Sequence, residues 1–466
     1  MRPATQRVVY IIAGEASGDA IGAKLIRALQ TKEPSVTFRG VGGPQMTKQG
    51  RFASLFPMKE LSFMGLTEVL PKLWSTLGHL HAVAKDIHAC APDAVVTIDS
   101  KGFTFRVLRT LSAQGLLYHV LRVVDKLDVA SVRRKAAVVH YVAPSTWAYN
   151  HKFKHMEATA TGLSRLMDHM LVLLPFEALL FQPRAEARPV VTFVGHPALE
   201  DFGDVHRLFE TALPTHDASS VELLPPSPWL PYDAHAARKT QAILATIAAE
   251  RAQLKAPTWT ICALVGSREN EVLQTISLVR QAIELHAQAR AAPIHVVFPT
   301  ISAVAPLVRA HLADWSIPCT VHVTDDASKK RSLFQQSHAA IAVSGTVVLE
   351  AALAGLPTVV IYRANRVTEV LARSLARVQH VSLPNIMSSR TLMPEVLFSE
   401  CTPINIAAAL TRLCAKPPNA VPLSQVFGSL LRWDVDPHVR PCRASEVAAT
   451  VVLAEMDRKR DAVTGR

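Results

Sequence analysis

The chain has 466 residues, which is too long for one ordinary hydrophobic core, so two domains are predicted. It is 49% apolar and 19% charged, a composition typical of a globular protein. Lys and Arg number 50 against 38 Asp and Glu, and the pI near 9.6 indicates an anionic partner. The positive residues are scattered and not clustered with aromatic residues, which argues against nucleic acid as that partner.

Cysteine usage and hydropathy narrow the cellular setting. The six cysteines are dispersed without a C-x-x-C pair, which favours reduced thiols over disulfides or a structural zinc site. No apolar run reaches the ~18 residues of a membrane span. The N-terminal MRPATQR is too short for a signal peptide. We therefore expect a soluble chain, at most attached to a membrane surface. Since none of the 19 histidines belongs to an H-E-x-x-H or similar cluster, we expect no metal and no cofactor.

Short apolar strands alternate with helical patterns along the first half. VVYIIA precedes a helix predicted from about Asp19 to Lys32, and VTFRGVGG precedes another near Leu66–Ala89. DAVVTID, AVVHYVAPS, HMLVLLP and VTFVGHP follow. The rhythm restarts at TWTICALVGS and continues through IHVVFPT, CTVHVTD, AAIAVSG and PTVVIYR. Such alternation indicates parallel sheets covered on both faces, so the predicted class is α/β with two doubly wound, Rossmann-like domains.

Domain boundaries follow from breaks in this rhythm. We predict a first domain over 1–199, a linker and insertion over 200–257, and a second domain over 258–415. A tail and helix over 416–466 are expected to pack back on the first domain. The proline-rich LLPPSPWLPYD marks the linker. A further insertion at about 118–137 carries Arg133-Arg134-Lys135, for which a solvated basic loop is favoured over an anion-binding patch.

Ligands of open parallel sheets bind beyond the carboxyl ends of the strands, so residues at those positions are candidates. In ALVGSRENEV, Gly266, Ser267 and Arg268 follow a strand and precede a helix, an arrangement suited to a diphosphate. An ordinary turn with a surface arginine is the alternative. No G-x-G-x-x-G or Walker A motif occurs, which argues against dinucleotides and ATP.

The stretch IAVSGTVVLEAALAGLPTVVIYR offers a second phosphate-type turn. Ser344, Gly345 and Thr346 would present N–H donors at a helix start. Glu350, one turn later, could accept hydrogen bonds from ribose hydroxyls. The alternative is a Thr346 cap with Glu350 as a surface acid. Two such turns in one domain indicate a nucleotide-sugar site.

The corresponding loops of the first half are acidic. Glu15 and Asp19 lie in IIAGEASGDAIGAKLI, and Asp99 ends a buried strand, where a desolvated carboxylate could act as a general base. An Asp99 that caps the following helix is the alternative. Other candidates follow later strands and suit a sugar or a cleft, although a tryptophan there could equally be core: His140, Ser145, Trp147 and His196.

These motifs occur in an order that resembles the lipid-A-disaccharide synthase family. The resemblance covers about Val8 to Thr402 and rests on AGEASGD, MGLTEVL, HYVAPSTWAY, LPFE, VGHP, GSRENEV, SGTVVLEAALAGLPTVVIYR and VSLPNIM. It implies a GT-B glycosyltransferase whose two domains face a central cleft. Such an enzyme joins UDP-2,3-diacylglucosamine to 2,3-diacylglucosamine 1-phosphate (lipid X), forming a β(1→6) disaccharide and UDP without a metal. Another UDP-sugar enzyme, such as a MurG-like transferase or an epimerase, or a non-catalytic UDP- or lipid-binding protein, is the alternative.

The resemblance also implies roles for particular residues. Asp99 would be the general base, with Glu15 and Ser17 in the reaction-centre wall. The UDP would contact Arg268, Ser344, Thr346 and Glu350, with Asn385 of SLPN near the donor. The family usually has Ala-Pro-Asp-Phe-Asn after the base, whereas this chain has Ser-Lys-Gly-Phe-Thr at 100–104.

An apolar stripe on a predicted helix is the last candidate site. In MGLTEVLPKLWSTLGHL one face collects Leu66, Val69, Leu70, Leu73, Leu77 and Leu80, with Trp74 beside it. A helix packed on the sheet would show the same stripe. Because both lipid substrates are acylated and anionic, contact with an anionic membrane is the competing interpretation. The expected location is cytoplasmic, on the inner face of the inner membrane, or an organelle in a eukaryote, and a homodimer is left open.

Overall fold

The computed structural model describes residues 6–61, 69–149, 162–163, 165–182, 190–201, 258–290, 292–324, 326–364, 366–415, 426–433 and 441–464. The chain divides into two compact units. Unit 1 comprises Met1–Trp147, His151–Pro197 and Cys442–Arg466, and unit 2 comprises Ala148–Asn150 and Ala198–Pro441. The predicted linker over 200–257 lies outside the described residues apart from its first two positions.

Unit 1 is built on a seven-stranded, wholly parallel sheet in the order β3-β2-β1-β4-β5-β6-β7. Every residue of β1, β4, β5 and β6 is buried, as expected for a parallel sheet covered on both faces. The strands are β1 Val8–Ala13, β2 Thr37–Val41, β3 Phe52–Ser54, β4 Ala94–Ile98, β5 Ala137–Tyr141, β6 His169–Val172 and β7 Val190–Phe193.

Helices connect these strands. They are α1 Ala16–Lys32, α2 Pro44–Thr47, α3 Val69–Cys90, α4 Lys101–Leu111, α5 Leu116–Val123, α6 Ala130–Lys135 and α7 Pro175–Phe181. Helix α1 begins three residues before the predicted start at Asp19. The insertion at 118–137 is largely helical, so the favoured interpretation as a solvated loop was wrong for Arg133. Its guanidinium lies 2.7 Å from the buried Asp168 carboxylate, whereas the exposed Arg134 pairs with Asp128.

Unit 2 contains a six-stranded parallel sheet in the order β10-β9-β8-β11-β12-β13. The strands are β8 Trp259–Leu264, β9 Ile294–Thr300, β10 Cys319–Val323, β11 Ala339–Val343, β12 Thr358–Tyr362 and β13 Glu395–Leu397. The helices are α8 Glu269–Gln288, α9 Ala305–Leu312, α10 Ala327–Gln336, α11 Thr346–Leu353, α12 Arg366–Leu375, α13 Leu383–Ser388 and α14 Pro403–Ala415. The prediction of two doubly wound α/β sheets is confirmed.

The last helix, α15 Ala444–Thr464, belongs to unit 1, where it packs on α1 and β5. Glu455 on its buried side lies 3.1 Å from His169 Nδ1 and accepts a 2.7 Å hydrogen bond from Arg458 Nε. Burial alone would raise the pKa of Glu455, but these partners outweigh it and lower the pKa from 4.5 to about 2. Lys459 also reaches the sheet, with Nζ 3.2 Å from Asp168 Oδ1.

Candidate active site

The first candidate site lies at the carboxyl end of the unit 1 sheet, between β1 and β4. These strands are neighbours, with Ala13 beside Ile98. The sheet order runs outward from this pair in opposite directions, towards β2 on one side and β5 on the other. Such a switch point opens a crevice in which doubly wound sheets bind ligands. The fold thus brings together the loops that carry Glu15 and Asp99.

The two loops approach closely at Gly14. A Cβ on this residue would lie 2.3 Å from Oγ and 2.8 Å from Cβ of Ser100. Both distances are well inside van der Waals contact, so a side chain at position 14 would push the loops apart. Gly14 therefore sets the spacing between the two acidic loops.

Asp99 has a backbone conformation that is uncommon for a non-glycine residue. Its φ is 46° and that of Ser100 is 49°, which places two consecutive non-glycine residues in the left-handed region. The amide of Asp99 donates to the Tyr141 carbonyl at 2.9 Å, and its own carbonyl accepts from Thr104 Oγ1 at 2.6 Å. Backbone strain of this kind costs about 1–3 kcal/mol per residue and is concentrated at functional sites.

The Asp99 side chain is half-buried, so the expectation of a desolvated carboxylate was too strong. Among the described residues, no hydrogen bond or ion pair engages that carboxylate. It does not cap α4, because the N-cap position of α4 is Ser100. The carboxylate is therefore held at the switch point by a fixed backbone, without a partner from the described part of the chain.

Glu15 and Ser17 lie at the start of α1, where Glu15 is the N-cap residue with an extended backbone. Both are half-buried. Glu15 lies next to β1 and opposite the Asp99 loop. Its contribution to a reaction-centre wall stays a prediction.

Asp19 does not cap its own helix, although its place at the predicted helix start would suit that role. It lies inside α1, and its carboxylate is buried against the loop after β2. The carboxylate accepts hydrogen bonds from the amides of Gly43 at 2.8 Å, Gln45 at 2.9 Å and Met46 at 3.0 Å. Asp19 therefore caps α2, the next helix along the chain, and fixes the loop that precedes it.

His140 and Trp147 are core residues, which corrects their assignment to the acceptor cleft. His140 lies within β5, fully buried, with Nδ1 2.8 Å from Thr97 Oγ1 on the neighbouring strand. The Trp147 indole is buried, donates to Glu177 Oε1 at 3.0 Å and meets the Phe176 ring edge-on. The LPFE motif is thereby explained, because its phenylalanine and glutamate hold this tryptophan.

The two remaining acceptor candidates differ in exposure. Ser145 is exposed, and its contact with an acceptor stays a prediction. His196 is buried, and its pKa falls to about 3, first because of burial and second because of the nearby Lys24 ammonium. The imidazole of His196 is therefore neutral at physiological pH and can bind only as an uncharged partner.

The second candidate site lies at the equivalent switch point of unit 2, between β8 and β11. Leu264 pairs with Ala342, so the loop over 266–268 and the loop over 344–346 follow adjacent parallel strands. Each loop leads into a helix, α8 or α11. The fold thus brings both sequence-predicted phosphate turns to one edge of the sheet, where two sets of helix N-terminal amides are available for an anion.

A carboxylate from the chain itself occupies part of this edge. Glu271 Oε2 accepts hydrogen bonds from the amides of Ser267 at 3.0 Å and Arg268 at 3.3 Å, and its Oε1 lies 2.8 Å from Arg268 Nη1. Gly266, with φ +111°, leaves room for it, since a Cβ there would lie 2.7 Å from the same carboxylate. Arg268 is therefore paired with Glu271 here.

Glu350 is also paired. Its carboxylate forms an ion pair with Lys330 of α10, and both side chains are at least half-buried. Thr346 and Gly345 are exposed at the start of α11, and Ser344 Oγ donates to the Val381 carbonyl at 3.3 Å. Glu350 thus lies one turn from an exposed loop, held by a cation on the neighbouring helix.

Asn385 does not contact a donor through its side chain, which corrects its assignment to the UDP site. It is fully buried, and its Oδ1 accepts from the amides of Leu392 at 2.7 Å and Met393 at 2.9 Å. Its Nδ2 donates to the Met393 carbonyl and to Glu395 Oε1, both at 2.8 Å. Glu395 also accepts from the amides of Val381 and Ser382. The SLPN motif therefore holds the segment beside the Ser344 loop.

The structure describes only part of the apolar stripe predicted over Leu66–Leu80. Leu66 lies outside the described residues, as do the side chains of four α3 residues, Val69, Leu70, Leu73 and Trp74. Leu77 is 37% exposed, whereas Leu80 is buried in the core. In the described ranges, no helix is long and apolar enough to cross a membrane, and no cluster of three or more His, Cys, Asp or Glu could hold a metal.

Both switch points fall within one family match. The family model for lipid-A-disaccharide synthetase matches residues 9–207 and 238–426, most of the chain. The chain belongs to this family. It is 35% identical over 419 residues to a lipid-A-disaccharide synthase of Granulibacter bethesdensis, covering 89% of this chain and 88% of that one. It is 34% identical over 454 residues to the lipid-A-disaccharide synthase of Rhodospirillum centenum, covering 96% of this chain and 95% of that one.

A plant relative and two solved structures extend the comparison. A protein of Arabidopsis thaliana named probable lipid-A-disaccharide synthase, mitochondrial, is 34% identical over 409 residues, covering 87% of this chain and 78% of that one. The S. aureus MnaA-UDP structure aligns with a TM-score of 0.53 at 12% identity, covering 97% of each chain. UDP-GlcNAc 2-epimerase of Methanocaldococcus jannaschii aligns with a TM-score of 0.52 at 9% sequence identity. The alignment covers 96% of this chain and 99% of that one. These structures show the shared fold alone.

Three residues of this lipid-A-disaccharide synthetase family member escaped the sequence reasoning. Glu271 lies inside GSRENEV, three residues after Arg268, and the spacing of a capping box could have indicated its contact. Lys330 and Glu395 lie on different secondary-structure elements from the residues they contact, Glu350 and Asn385. Their contacts depend on how helices and loops pack, for which the sequence carries no local signal.

Proposed function

We propose that this chain transfers a diacylglucosamine unit from UDP-2,3-diacylglucosamine to the 6-hydroxyl of 2,3-diacylglucosamine 1-phosphate. The products are the β(1→6) disaccharide 1-phosphate and UDP, in lipid A biosynthesis. The observation that carries this proposal is the family match across both units, with family motifs at both switch points. The epimerase and the non-catalytic alternative have no observation in their favour beyond a shared fold.

Asp99 is proposed as the general base of the transfer. The acceptor oxygen forms a bond to the donor C1 while its proton passes to the Asp99 carboxylate, and the bond from C1 to the UDP oxygen breaks. Attack opposite the leaving group inverts the anomeric centre. The left-handed backbone of Asp99 and the absence of a competing partner among the described residues support this role, since both keep the carboxylate in place and available.

The donor is proposed to bind unit 2. The diphosphate would meet the amides at the starts of α8 and α11, with the Arg268 guanidinium, Ser267 and Thr346 beside it. Glu350 would accept the ribose hydroxyls. Because departing UDP gains negative charge, amide dipoles and a guanidinium fixed at this edge stabilise it in the transition state.

The decisive experiment mixes the purified chain with both lipid substrates in detergent and follows UDP release and the disaccharide. We expect turnover by the wild type and a loss of at least about 100-fold in Asp99→Asn, because the amide cannot accept the proton. Asp128→Asn, which removes an exposed carboxylate of the same unit, is the matched control and should keep the full rate. Full activity of Asp99→Asn would refute the base assignment, and an inactive wild type would refute the function.

The substrates also favour a peripheral location. We propose that the chain binds an anionic membrane surface on its cytoplasmic inner face, through Leu77 and the preceding part of α3. The exposed Leu77 and the net charge of +12 support this proposal. The name of the plant relative, which includes the word mitochondrial, supports an organelle as the corresponding place in a eukaryote. Sedimentation equilibrium would decide between monomer and homodimer.

A further inference from the structure

The ion pair of Lys330 with Glu350 joins two neighbouring helices of unit 2. Their side chains are only 28% and 16% exposed, and Oε2 of Glu350 is buried where it meets the Lys330 ammonium. Neither side chain forms another ion pair with the described part of the chain. Partial burial makes such a pair sensitive to geometry, because each ion gives up hydration that only a well-placed partner returns.

Helix α10 is anchored so that Lys330 faces α11. Asp326 caps α10 by accepting a hydrogen bond from the Ser328 amide at 2.9 Å. Phe334, one turn after Lys330 on the same side of the helix, is 1% exposed and belongs to the core. The helix packs against α11, β8 and β9. The Lys330 ammonium therefore reaches Glu350 from a helix that is held both at its start and in its middle.

The pair leaves one carboxylate oxygen of Glu350 for a ligand. Oε1 makes no hydrogen bond or ion pair with the residues that the structure describes. A carboxylate oxygen has two lone pairs, so Oε1 can accept hydrogen bonds from two hydroxyls. Glu350 follows Thr346 by four residues, so both lie on one side of α11, and Thr346 is exposed. The ammonium thus fixes the orientation of the carboxylate while its second oxygen stays unused.

We propose that Lys330 is a positioning residue that gives the donor site its preference for ribose over deoxyribose nucleotides. By holding Oε2, Lys330 directs Oε1 of Glu350 towards the 2′- and 3′-hydroxyls, which donate charge-assisted hydrogen bonds to it. The inference rests on the proposed function, which assigns UDP to unit 2 and its ribose to Glu350. Lys330 acts through Glu350 and touches no reacting atom, so it is not a catalytic residue.

The test compares the binding of UDP and of 2′,3′-dideoxy-UDP to the full chain by calorimetry. We expect the wild type to bind UDP at least about tenfold more tightly than the dideoxy form. Lys330→Met should weaken UDP binding about tenfold and dideoxy-UDP binding less than about twofold, because the dideoxy form has no hydroxyl for Glu350. In a Glu350→Gln background, Lys330→Met should have little further effect, because the two residues act as one unit.

Lys329→Met is the matched control. Lys329 precedes Lys330 on α10, but it is exposed and forms no ion pair with the described residues, so its loss should leave both affinities unchanged. Circular dichroism and a thermal melt verify that each variant is folded. Equal weakening of UDP and dideoxy-UDP by Lys330→Met would overturn the proposal, because Lys330 would then act on the diphosphate. Tighter UDP binding would also overturn it, because Lys330 would then compete with the ribose.

The transfer assay in detergent adds a readout that a merely structural role would not give. In Lys330→Met, KM for the UDP-linked donor should rise about tenfold with kcat nearly unchanged, because the ribose is bound alike in the ground and transition states. A fall in kcat at unchanged KM would contradict the positioning role.

The outcomes also separate this inference from the proposed function. A wild type that binds UDP and dideoxy-UDP equally would refute the ribose contact of Glu350 and the inference with it. A preference for UDP that Lys330→Met retains would refute the inference alone. A preference that Lys330→Met loses, in a chain that forms no disaccharide, would refute the transfer and leave the role of Lys330 standing.

Discussion

Gly14→Ala tests whether the spacing of the two acidic loops matters for catalysis. The new Cβ would lie 2.8 Å from the Ser100 Cβ, which cannot rotate away, and 2.3 Å from its Oγ. Ordinary contact begins near 3.4 Å, so the loops must separate by about 0.6 Å to clear the Ser100 Cβ, and by about 1 Å where Oγ does not rotate aside. Displacement of a catalytic group by ~1 Å costs on the order of 100-fold in rate. We therefore expect kcat to fall about 10- to 100-fold.

A second substitution makes this prediction specific. Ser100→Gly removes both atoms that the new methyl group would meet, and glycine adopts the left-handed φ of 49° without strain. The double variant Gly14→Ala, Ser100→Gly should therefore regain most of the lost rate in the detergent assay. UDP binding, measured by calorimetry, should stay unchanged in all variants because UDP is assigned to unit 2. Wild-type activity of Gly14→Ala, or a double variant as slow as the single one, would refute the reasoning.

Three further predictions concern buried or paired polar groups. Glu271→Gln should bind UDP about tenfold more tightly, because its amide oxygen keeps only neutral hydrogen bonds to the amides of Ser267 and Arg268, and the ion pair that competes for the Arg268 guanidinium is lost. Asn385→Ala should lower the unfolding free energy by about 3 kcal/mol, since it removes four hydrogen bonds made by a fully buried side chain, two of them to the backbone amides of Leu392 and Met393. The pKa of Glu455 is 4.5 in the unfolded chain and about 2 in the folded protein. The ionised carboxylate therefore contributes about 3 kcal/mol to the free energy of unfolding above pH 4.5, and this contribution is lost as the pH falls towards 2. Glu455→Gln should abolish that part of the acid sensitivity.

Matched variants separate these effects from general damage. Glu269→Gln removes an exposed charge from the same first turn of α8 and should barely change UDP affinity, measured by calorimetry. Asn405→Ala, at a half-buried position whose side chain donates only solvent-exposed hydrogen bonds to Glu400, should change urea unfolding much less. Glu446→Gln, exposed on α15, should retain the acid sensitivity, followed by hydrogen exchange of that helix. Weaker UDP binding by Glu271→Gln, or equal effects of target and control, would contradict these expectations.

The sequence predicted the sheets well because their strands are continuous apolar runs bounded by turns. It also predicted which loops gather at each switch point, since the carboxyl ends of parallel strands share one edge. The sequence-based site assignments failed where the direction of a side chain determines whether it can meet a ligand. His140 lies in β5, every residue of which is buried, and the Asn385 side chain is used entirely by the segment seven to ten residues later. Nothing local in the sequence distinguishes a buried amide that holds a loop from one that meets a ligand.

The place of α15 has a consequence for the order in which the protein forms during synthesis. The helix that packs on α1 and β5 is made after every strand of unit 2, although it belongs to unit 1. Until it leaves the ribosome, the buried Asp168 and His169 lack Lys459 and Glu455, and an apolar flank of the first sheet stays uncovered. Unit 2 can therefore finish first, the reverse of the usual N-terminal-first order. The nascent first unit would be the part that depends on chaperones.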